Sequence, residues 1–164
     1  MIKIMLDMDG VLCDYDAWLD YNHARKDNGK SDWKKLEQIG SIYWARMPWL
    51  LEGHKLYNMI LDYIKDKPTI ELGISSAIFL KCGKIGKMYW IEHNCPDIPL
   101  KNVKIADKGI EKFKNGNKNE ILIDDNLENV NLYKEVGYAI HYKNAKQAFD
   151  ELKQLLVEIG YDNP

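Results

Sequence analysis

Six polar side chains occur in three short stretches of the sequence, and an apolar run precedes each stretch. They are Asp7, Asp9, Ser75, Ser76, Asp124 and Asp125. Carboxylates that come together repel one another unless a cation lies between them, and a ligand set made only of oxygen atoms suits Mg²⁺. A lone Asp-x-Asp is most often a turn or a helix cap. The prediction of a magnesium site therefore depends on whether the chain brings these stretches together.

Apolar runs that alternate with amphipathic segments position these side chains. The runs predict strands at 2–6, 69–74, 102–107, 119–125 and 138–142. Helical spacing of apolar residues predicts helices at 53–66, 82–94, 126–137 and 148–159. We expect the third helix to end at Gly137 in the left-handed conformation. Strands that alternate with helices form a parallel sheet covered on both faces, so the predicted fold class is three-layer, Rossmann-like α/β. The carboxyl ends of parallel strands lie at one edge of such a sheet, where the six side chains would meet.

The bulk composition is that of an ordinary globular protein. The chain has 164 residues, 46% hydrophobic and 29% charged, which suits one compact domain with a small insertion. The net charge of −2 gives no general reason to bind nucleic acid or an anionic membrane, and no apolar run approaches the roughly 18 residues that span a bilayer. Cys13, Cys82 and Cys95 form no Cys-x-x-Cys pair, and no secretory signal opens the sequence. We therefore expect free thiols and a cytoplasmic location.

The motifs follow one another in a characteristic order. "IMLDMDGVL" comes first, then "ISSA", a lysine-rich segment and "ILIDDN". Over residues 1–13 and 67–142 this order resembles the haloacid dehalogenase (HAD) superfamily of phosphotransferases, whose first motif is an apolar strand followed by DxDG[VT]L. The resemblance implies that Asp7 is a nucleophile that forms an aspartyl phosphate, and that Asp9 protonates the leaving alcohol and then activates water. The metal ligands that it implies for Mg²⁺ are Asp7, Asp9, Asp124 and Asp125, and which member of the last pair contacts the ion directly is left open.

The resemblance also assigns hydroxyl and lysine roles. Ser75 lies where the second motif places a hydroxyl that holds the phosphoryl oxygens, and Ser76 is the alternative, next to the substrate. The third motif is a lysine that neutralises the nucleophile and the phosphate. The segment "ADKGIEKFKNG" offers Lys108, Lys112 and Lys114. Its distance to "IDD" favours Lys112 as the catalytic lysine, with Lys108 second as a residue that binds substrate.

An insertion separates the first two motifs. In the HAD superfamily an insertion at this position forms a helical cap that selects the substrate, so we expect a small helical cap at 14–66 and a catalytic core formed by 1–13 and 67–164. The insertion is rich in aromatic residues. In a short cap they most simply form a miniature core, but Tyr15 directly follows the catalytic turn and lies near the cleft. The candidates for stacking on a nucleobase are Tyr15, Tyr43 and Trp44.

Details beyond the general motifs resemble the 5′(3′)-deoxyribonucleotidase family. "DMDGVLCDYD", "KMYWIEHN" and "ILIDDNLENV" are the matching segments. The resemblance implies a Mg²⁺-dependent phosphatase of nucleoside monophosphates. The chain departs from the family in its shorter cap, in extra residues before "ILIDD" and in "SSA" where the family has Thr-Ser-Pro. We expect a small-molecule phosphate ester as the partner, with neither a membrane nor nucleic acid, and leave a homodimer open.

Other interpretations fit the sequence less well. A response-regulator receiver domain has its acid pair early and its phosphorylated Asp after a central strand, whereas here Asp-x-Asp comes first and the paired acids come last. A non-catalytic binding protein would be favoured by loss of Asp7 or Asp9, and both are present. A phosphatase of other small metabolites or of nucleic-acid ends remains an alternative. "GKIGK" at 83–87 lacks the spacing of a phosphate loop and better fits a helix start that places Lys84 and Lys87 near the substrate.

Overall fold

The computed structural model describes residues 1–161 of the chain, in which five strands form one parallel sheet. The strands are β1 (Ile2–Leu6), β2 (Ile70–Ala77), β3 (Val103–Ala106), β4 (Glu120–Asp124) and β5 (Tyr138–His141). Their order across the sheet is β3-β2-β1-β4-β5, and each neighbouring pair runs parallel. The five strands predicted from the apolar runs are therefore confirmed, and β1 is the central strand.

Helices connect the strands. They are α1 (Tyr15–Tyr21), α2 (Trp33–Ile39), α3 (Ser41–Ala45), α4 (Leu51–Ile64), α5 (Lys81–Asn94), α6 (Leu127–Tyr133) and α7 (Ala145–Glu158). Two 3₁₀ segments, Leu100–Asn102 and Gly109–Asn115, flank β3. No helix in residues 1–161 is long and apolar enough to cross a membrane. The cysteine thiols are free, as predicted.

The sheet is covered on both faces, because side chains alternate along each strand. Ile4 and Leu6 of β1 are buried in a large apolar cluster that includes residues of α4, α5 and α7. Met5, between them, belongs to a second cluster with Val130 and Tyr133 of α6. Two layers of helices thus enclose the sheet. The predicted three-layer, Rossmann-like α/β fold class is confirmed.

Residues 14–66 contain four of the helices, which occupy two different places. Leu56 and Ile60 of α4 are buried in the large sheet cluster, and α4 contacts α7 and β2. In contrast, α3 packs on α5. Gly86 of α5 makes that contact close, because a side chain there would overlap the carbonyl of Ser41 and lie 2.8 Å from Cβ of Trp44. The "GKIGK" segment therefore lies in a helix-packing surface of α5, and the separation into a core and a cap stays a prediction.

The end of α6 differs from the prediction. The helix ends at Tyr133, followed by Lys134 at the cap position, four residues earlier than Gly137. Gly137 is not among the residues with positive φ, so the left-handed ending predicted for it is wrong. A Cβ atom at Gly137 would lie 2.6 Å from the carbonyl oxygen of Asn117 and 3.0 Å from that of Glu120. The close approach of a neighbouring backbone explains this glycine.

Candidate active site

The strand register brings the acidic stretches together. Leu6, the last residue of β1, pairs with Ile123 of β4 and with Ile74 of β2. The amide of Asp7 donates a hydrogen bond of 2.9 Å to the carbonyl of Ile123. Asp7 therefore lies beside Asp124 on one side, and β2 lies on the other. Parallel pairing alone produces this convergence at the carboxyl edge of the sheet.

Lys112 lies between two buried carboxylates. Its Nζ is 2.7 Å from Oδ1 of Asp7 and 2.8 Å from Oδ2 of Asp124. Only 5% of Asp7 and 4% of Lys112 are exposed, and Asp124 is fully buried. Burial raises the pKa of Asp7 to about 7, Lys112 opposes that rise, and the charge of Asp124 adds to it. Of the three lysines in the segment, Lys112 is the one that the structure places on Asp7.

Three carboxylates can hold a cation. Ligand oxygens of Asp7, Asp124 and Asp125 lie within 4.8 Å of one another. Partial desolvation of its carboxyl group and the charge of Asp124 raise the pKa of Asp125 to about 6, and a bound cation would favour the ionised form. Gly10 leaves room for the carboxylate of Asp125, which a Cβ atom at this position would overlap. Its φ of +80° also favours glycine. An all-oxygen set of this kind fits Mg²⁺.

The oxygens of Asp124 and Asp125 are engaged to different degrees. Asp124 accepts hydrogen bonds from Lys112, from the amide of Asn126 (2.9 Å) and from the side chain of Asn129 (3.2 Å). Asp125 is exposed and lines the main cavity. Asp125 is consequently the more accessible of the two to an incoming cation.

Asp9 lies in a different environment from Asp7. Its Oδ2 accepts a 2.6 Å bond from Nζ of Lys87, which also donates to Oγ of Ser76 (2.9 Å) and to the carbonyl of Ala77 (2.8 Å). Oδ1 of Asp9 is buried and has no hydrogen-bond partner among the described residues. Asp9 was predicted to be a metal ligand. In the structure its carboxylate pairs with Lys87 and is not part of the group formed by Asp7, Asp124 and Asp125.

Lys87, which was predicted only to lie near the substrate, contacts two candidate site residues, Asp9 and Ser76. Just 1% of it is exposed. The spacing of the residues in α5 indicates this burial, because Lys87 lies on the same buried face as Gly83, Trp90 and Ile91. A lysine on the apolar stripe of a helix is seldom buried without a partner.

Ser75 and Ser76 are both buried near the end of β2. Side chains alternate along a strand, so the two hydroxyls point to opposite faces of the sheet. Ser76 shares a face with Ile74 and contacts Lys87 of α5. Ser75 therefore lies on the face that carries the 109–115 segment. Neither serine lines either of the two cavities at this edge of the sheet.

Two adjoining cavities open at this edge of the sheet. The main cavity has a volume of about 710 Å³ and is lined by Asp7, Lys112 and Lys108 among others. Its lining also includes the acidic residues Asp14, Asp16, Asp125 and Glu128. The second cavity, of about 230 Å³, is lined by Asp9, Tyr15, Ser31, Trp33, Trp44, Ala77, Ile78 and Phe79. Asp9 and Tyr15 line both cavities, so Asp9 lies where they join.

The predicted aromatic residues divide between cavity and core. The hydroxyl of Tyr15 is 2.9 Å from Oγ of Ser31, and its ring meets that of Tyr43 edge-on. Tyr43 is 1% exposed and lines neither cavity, whereas Trp44, also buried, lines the second one. Trp33 and Phe79 line it too, with ring centroids 4.7 Å apart.

Comparisons with known proteins give a likeness of structure. No protein-family model matches the chain, and no curated protein matches it. Among solved structures, the chain is similar to the HAD domain of effector protein Lem4 from Legionella pneumophila, at 11% sequence identity and a TM-score of 0.46. The match covers 96% of this chain and 94% of that one.

Proposed function

We propose that the protein is a Mg²⁺-dependent phosphomonoesterase of the HAD type that acts through an aspartyl phosphate on Asp7. The observation that carries the proposal is the pair of buried lysines, with Lys112 on Asp7 and Lys87 on Asp9, beside a carboxylate group suited to a cation. Cations concentrated around a buried carboxylate create a site for a phosphate dianion. The motif order of the HAD superfamily supports the same assignment.

The two early aspartates have separate tasks in this reaction. A carboxylate oxygen of Asp7 attacks phosphorus while the bond from phosphorus to the alcohol oxygen breaks, and protonated Asp9 gives its proton to that oxygen. A water molecule then gives a proton to ionised Asp9 and attacks phosphorus, which releases inorganic phosphate and restores Asp7. The side chain of Asp9 is 32% exposed and lines both cavities, so its carboxylate can reach the alcohol oxygen and the water, while Lys87 keeps it oriented.

The remaining charges hold the phosphate. Asp7, Asp124 and Asp125 would bind Mg²⁺, with Asp125 the more accessible of the adjacent pair. When bound, the ion neutralises negative charge on the phosphoryl oxygens and the nucleophile. Lys112 adds to this neutralisation and keeps Asp7 oriented.

We further propose nucleoside monophosphates as substrates, in the manner of 5′(3′)-deoxyribonucleotidases. The second cavity adjoins Asp9, the residue that must face the leaving alcohol, and aromatic rings of Tyr15, Trp33 and Phe79 line it. A nucleobase stacked on such rings gains about 1–3 kcal/mol. Asp14, Asp16 and Glu128 in the lining of the main cavity disfavour nucleic-acid ends, because they would repel the further phosphates of such a substrate. Another small phosphorylated metabolite is the remaining alternative.

The test is a phosphatase assay with p-nitrophenyl phosphate, a deoxynucleoside monophosphate series and sugar phosphates, with Mg²⁺ and with EDTA. We expect turnover only with the divalent cation, and the highest kcat/KM for a nucleotide. Turnover of p-nitrophenyl phosphate with preference for a sugar phosphate would retain the reaction and reject the nucleotide. Absence of Mg²⁺-dependent turnover on every ester would reject the reaction itself.

A further inference from the structure

A partly buried ion pair lies on the sheet face below the 109–115 segment, with the side chain of Lys104 29% exposed and that of Glu120 3% exposed. Nζ of Lys104 is 2.6 Å and 2.8 Å from the two carboxylate oxygens of Glu120, and it also donates a 2.6 Å bond to the carbonyl of Asn115. The hydroxyl of Tyr133 donates a 2.7 Å bond to Oε2 of Glu120. Glu120 is 3% exposed and Tyr133 is 1% exposed. The proposed reaction uses none of these residues.

The position of Asn115 gives this ion pair a link to the active site. Asn115 is the last residue of the 3₁₀ segment that carries Lys112. Hydrogen bonds in a 3₁₀ helix have poorer geometry than those of an α-helix, so such a segment depends on contacts beyond its own backbone. Lys112 must reach Asp7 and Asp124 at the same time. A small displacement of the segment would break one of these two contacts.

We propose that Lys104 is a positioning residue, which fixes the carboxyl end of the 109–115 segment and thereby holds Lys112 on Asp7. An ammonium group has three N–H donors, and those of Lys104 are matched by two carboxylate oxygens and one backbone carbonyl. Glu120 anchors Lys104 on β4, the strand that also ends in Asp124. The same strand therefore supports both the acceptor of Lys112 and the anchor of its segment. This inference rests on the proposed phosphatase function.

The decisive variant is the double substitution Lys104→Met and Glu120→Gln. It removes the bond to Asn115 without leaving a buried charge unpaired, and the introduced amide oxygen still accepts from Tyr133. We expect kcat/KM for p-nitrophenyl phosphate and for a nucleotide to fall in parallel by about tenfold or more, because Lys112 acts on the phosphate that both share. Lys104→Arg keeps the charge and the donors, so it should retain activity within about twofold of wild type.

Tyr133→Phe is the matched control. It removes one bond to Glu120 and keeps the ring, while the bond between Lys104 and Asn115 stays. We expect it to lower the melting temperature and leave kcat/KM within about twofold of wild type. If the double variant keeps full activity, or if Tyr133→Phe loses as much activity at equal stability, Lys104 is only a structural residue and the proposal is overturned.

Hydrogen exchange separates this proposal from the proposed function. The amides of Glu111 and Gly116 donate to the carbonyls of Lys108 and Phe113. They should exchange faster in the double variant than in wild type and Tyr133→Phe, whether or not the protein is a phosphatase. Unchanged hydrogen exchange would show that Lys104 does not hold the 109–115 segment, and would overturn this proposal even if the wild-type protein is an active phosphatase. Faster exchange in the double variant of a protein without phosphatase activity would support the positioning role of Lys104 and reject only the proposed reaction.

Discussion

Asp7 lies almost fully buried against Lys112 and Asp124, whereas Asp9, two residues later, keeps 32% of its side chain exposed and pairs with Lys87. A turn at Gly10 follows the pair. The half of the site around Asp7 collects negative charge for a cation, and the half around Asp9 leaves one carboxylate oxygen without a partner among the described residues. Two residues of one type, separated by a single residue, thereby acquire different chemistry from the elements packed against them.

The largest expected effect is that of Asp7→Asn. The amide keeps the shape but cannot act as the nucleophile, so we expect turnover of every ester to fall at least about a thousandfold. Asp150→Asn is the matched control, since Asp150 is an exposed residue of α7 paired with Lys146. The measurement is kcat on p-nitrophenyl phosphate with Mg²⁺. Near-normal turnover by a folded Asp7→Asn protein would contradict the nucleophile assignment.

Asp9→Asn should distinguish leaving groups. The variant cannot protonate an alkoxide, so nucleotide turnover should fall by about 10²–10⁴-fold. Phosphorylation of Asp7 by p-nitrophenyl phosphate, whose leaving group needs little protonation, should fall much less in a single-turnover burst. Equal losses on the two esters would mean that the halves of the site do not differ in the way proposed.

Tyr15→Ala should affect only substrates that reach the second cavity, next to Asp9. Loss of the ring from the second cavity should raise KM for a nucleotide, with a loss in kcat/KM worth about 1–3 kcal/mol, and should spare p-nitrophenyl phosphate. Tyr15→Phe keeps the ring without the bond to Ser31 and should stay close to wild type. Tyr21→Ala is a control on the exposed face of α1. A parallel loss on both esters would show that Tyr15 supports the catalytic turn instead.

The smallest expected effect is the contribution of Asp7 to the pH dependence of the protein's stability. Its pKa is about 7 in the folded protein without a cation and about 3.9 in an unfolded chain. The folded state thus binds this proton more tightly, and the stability that it contributes is present below pH 4 and is lost as pH rises towards 7. In EDTA, the melting temperature of wild type should therefore fall over this range by several degrees more than that of Asp7→Asn.

Added Mg²⁺ supplies the counterpart to that experiment. A bound cation favours ionised Asp7, so it should raise the melting temperature at pH 7.5 more than at pH 5 in wild type. In Asp7→Asn the increase should be small at both values. Identical pH profiles of the two proteins in EDTA would contradict a raised pKa of the buried Asp7.

The sheet and its acidic edge were predictable because simple rules determine them. Apolar runs of strand length alternate with helices, and a parallel sheet places the carboxyl ends of its strands at one edge. The structure adds the strand order, which puts Asp7 beside Asp124. Lys112 was predicted from the family resemblance and from its distance to "IDD", since strand pairing does not select one of the three lysines of its segment. The site residues themselves were predicted partly from a family resemblance.

Side chains whose position depends on packing were harder to predict. Burial of Lys87 requires knowing that Asp9 and Ser76 receive its charge, and the neighbours of a helix face are not evident from spacing. Tyr43, a predicted stacking residue, is buried and lines neither cavity, whereas Trp33, for which no role was predicted, lines the second one. Gly137 was mistaken for a helix end because a glycine needed for close approach looks the same in sequence as one needed for positive φ.

The close contact at Gly86 also limits how this architecture can be re-engineered. Because any side chain there would overlap the carbonyl of Ser41, residues 14–66 do not form an exchangeable module that a different scaffold could receive. A chimera that transplants only the insertion would meet an ordinary helix in place of α5, and its Trp44 would lose its position beside the second cavity. A graft of the insertion that keeps this helix packing must therefore carry α5 as well.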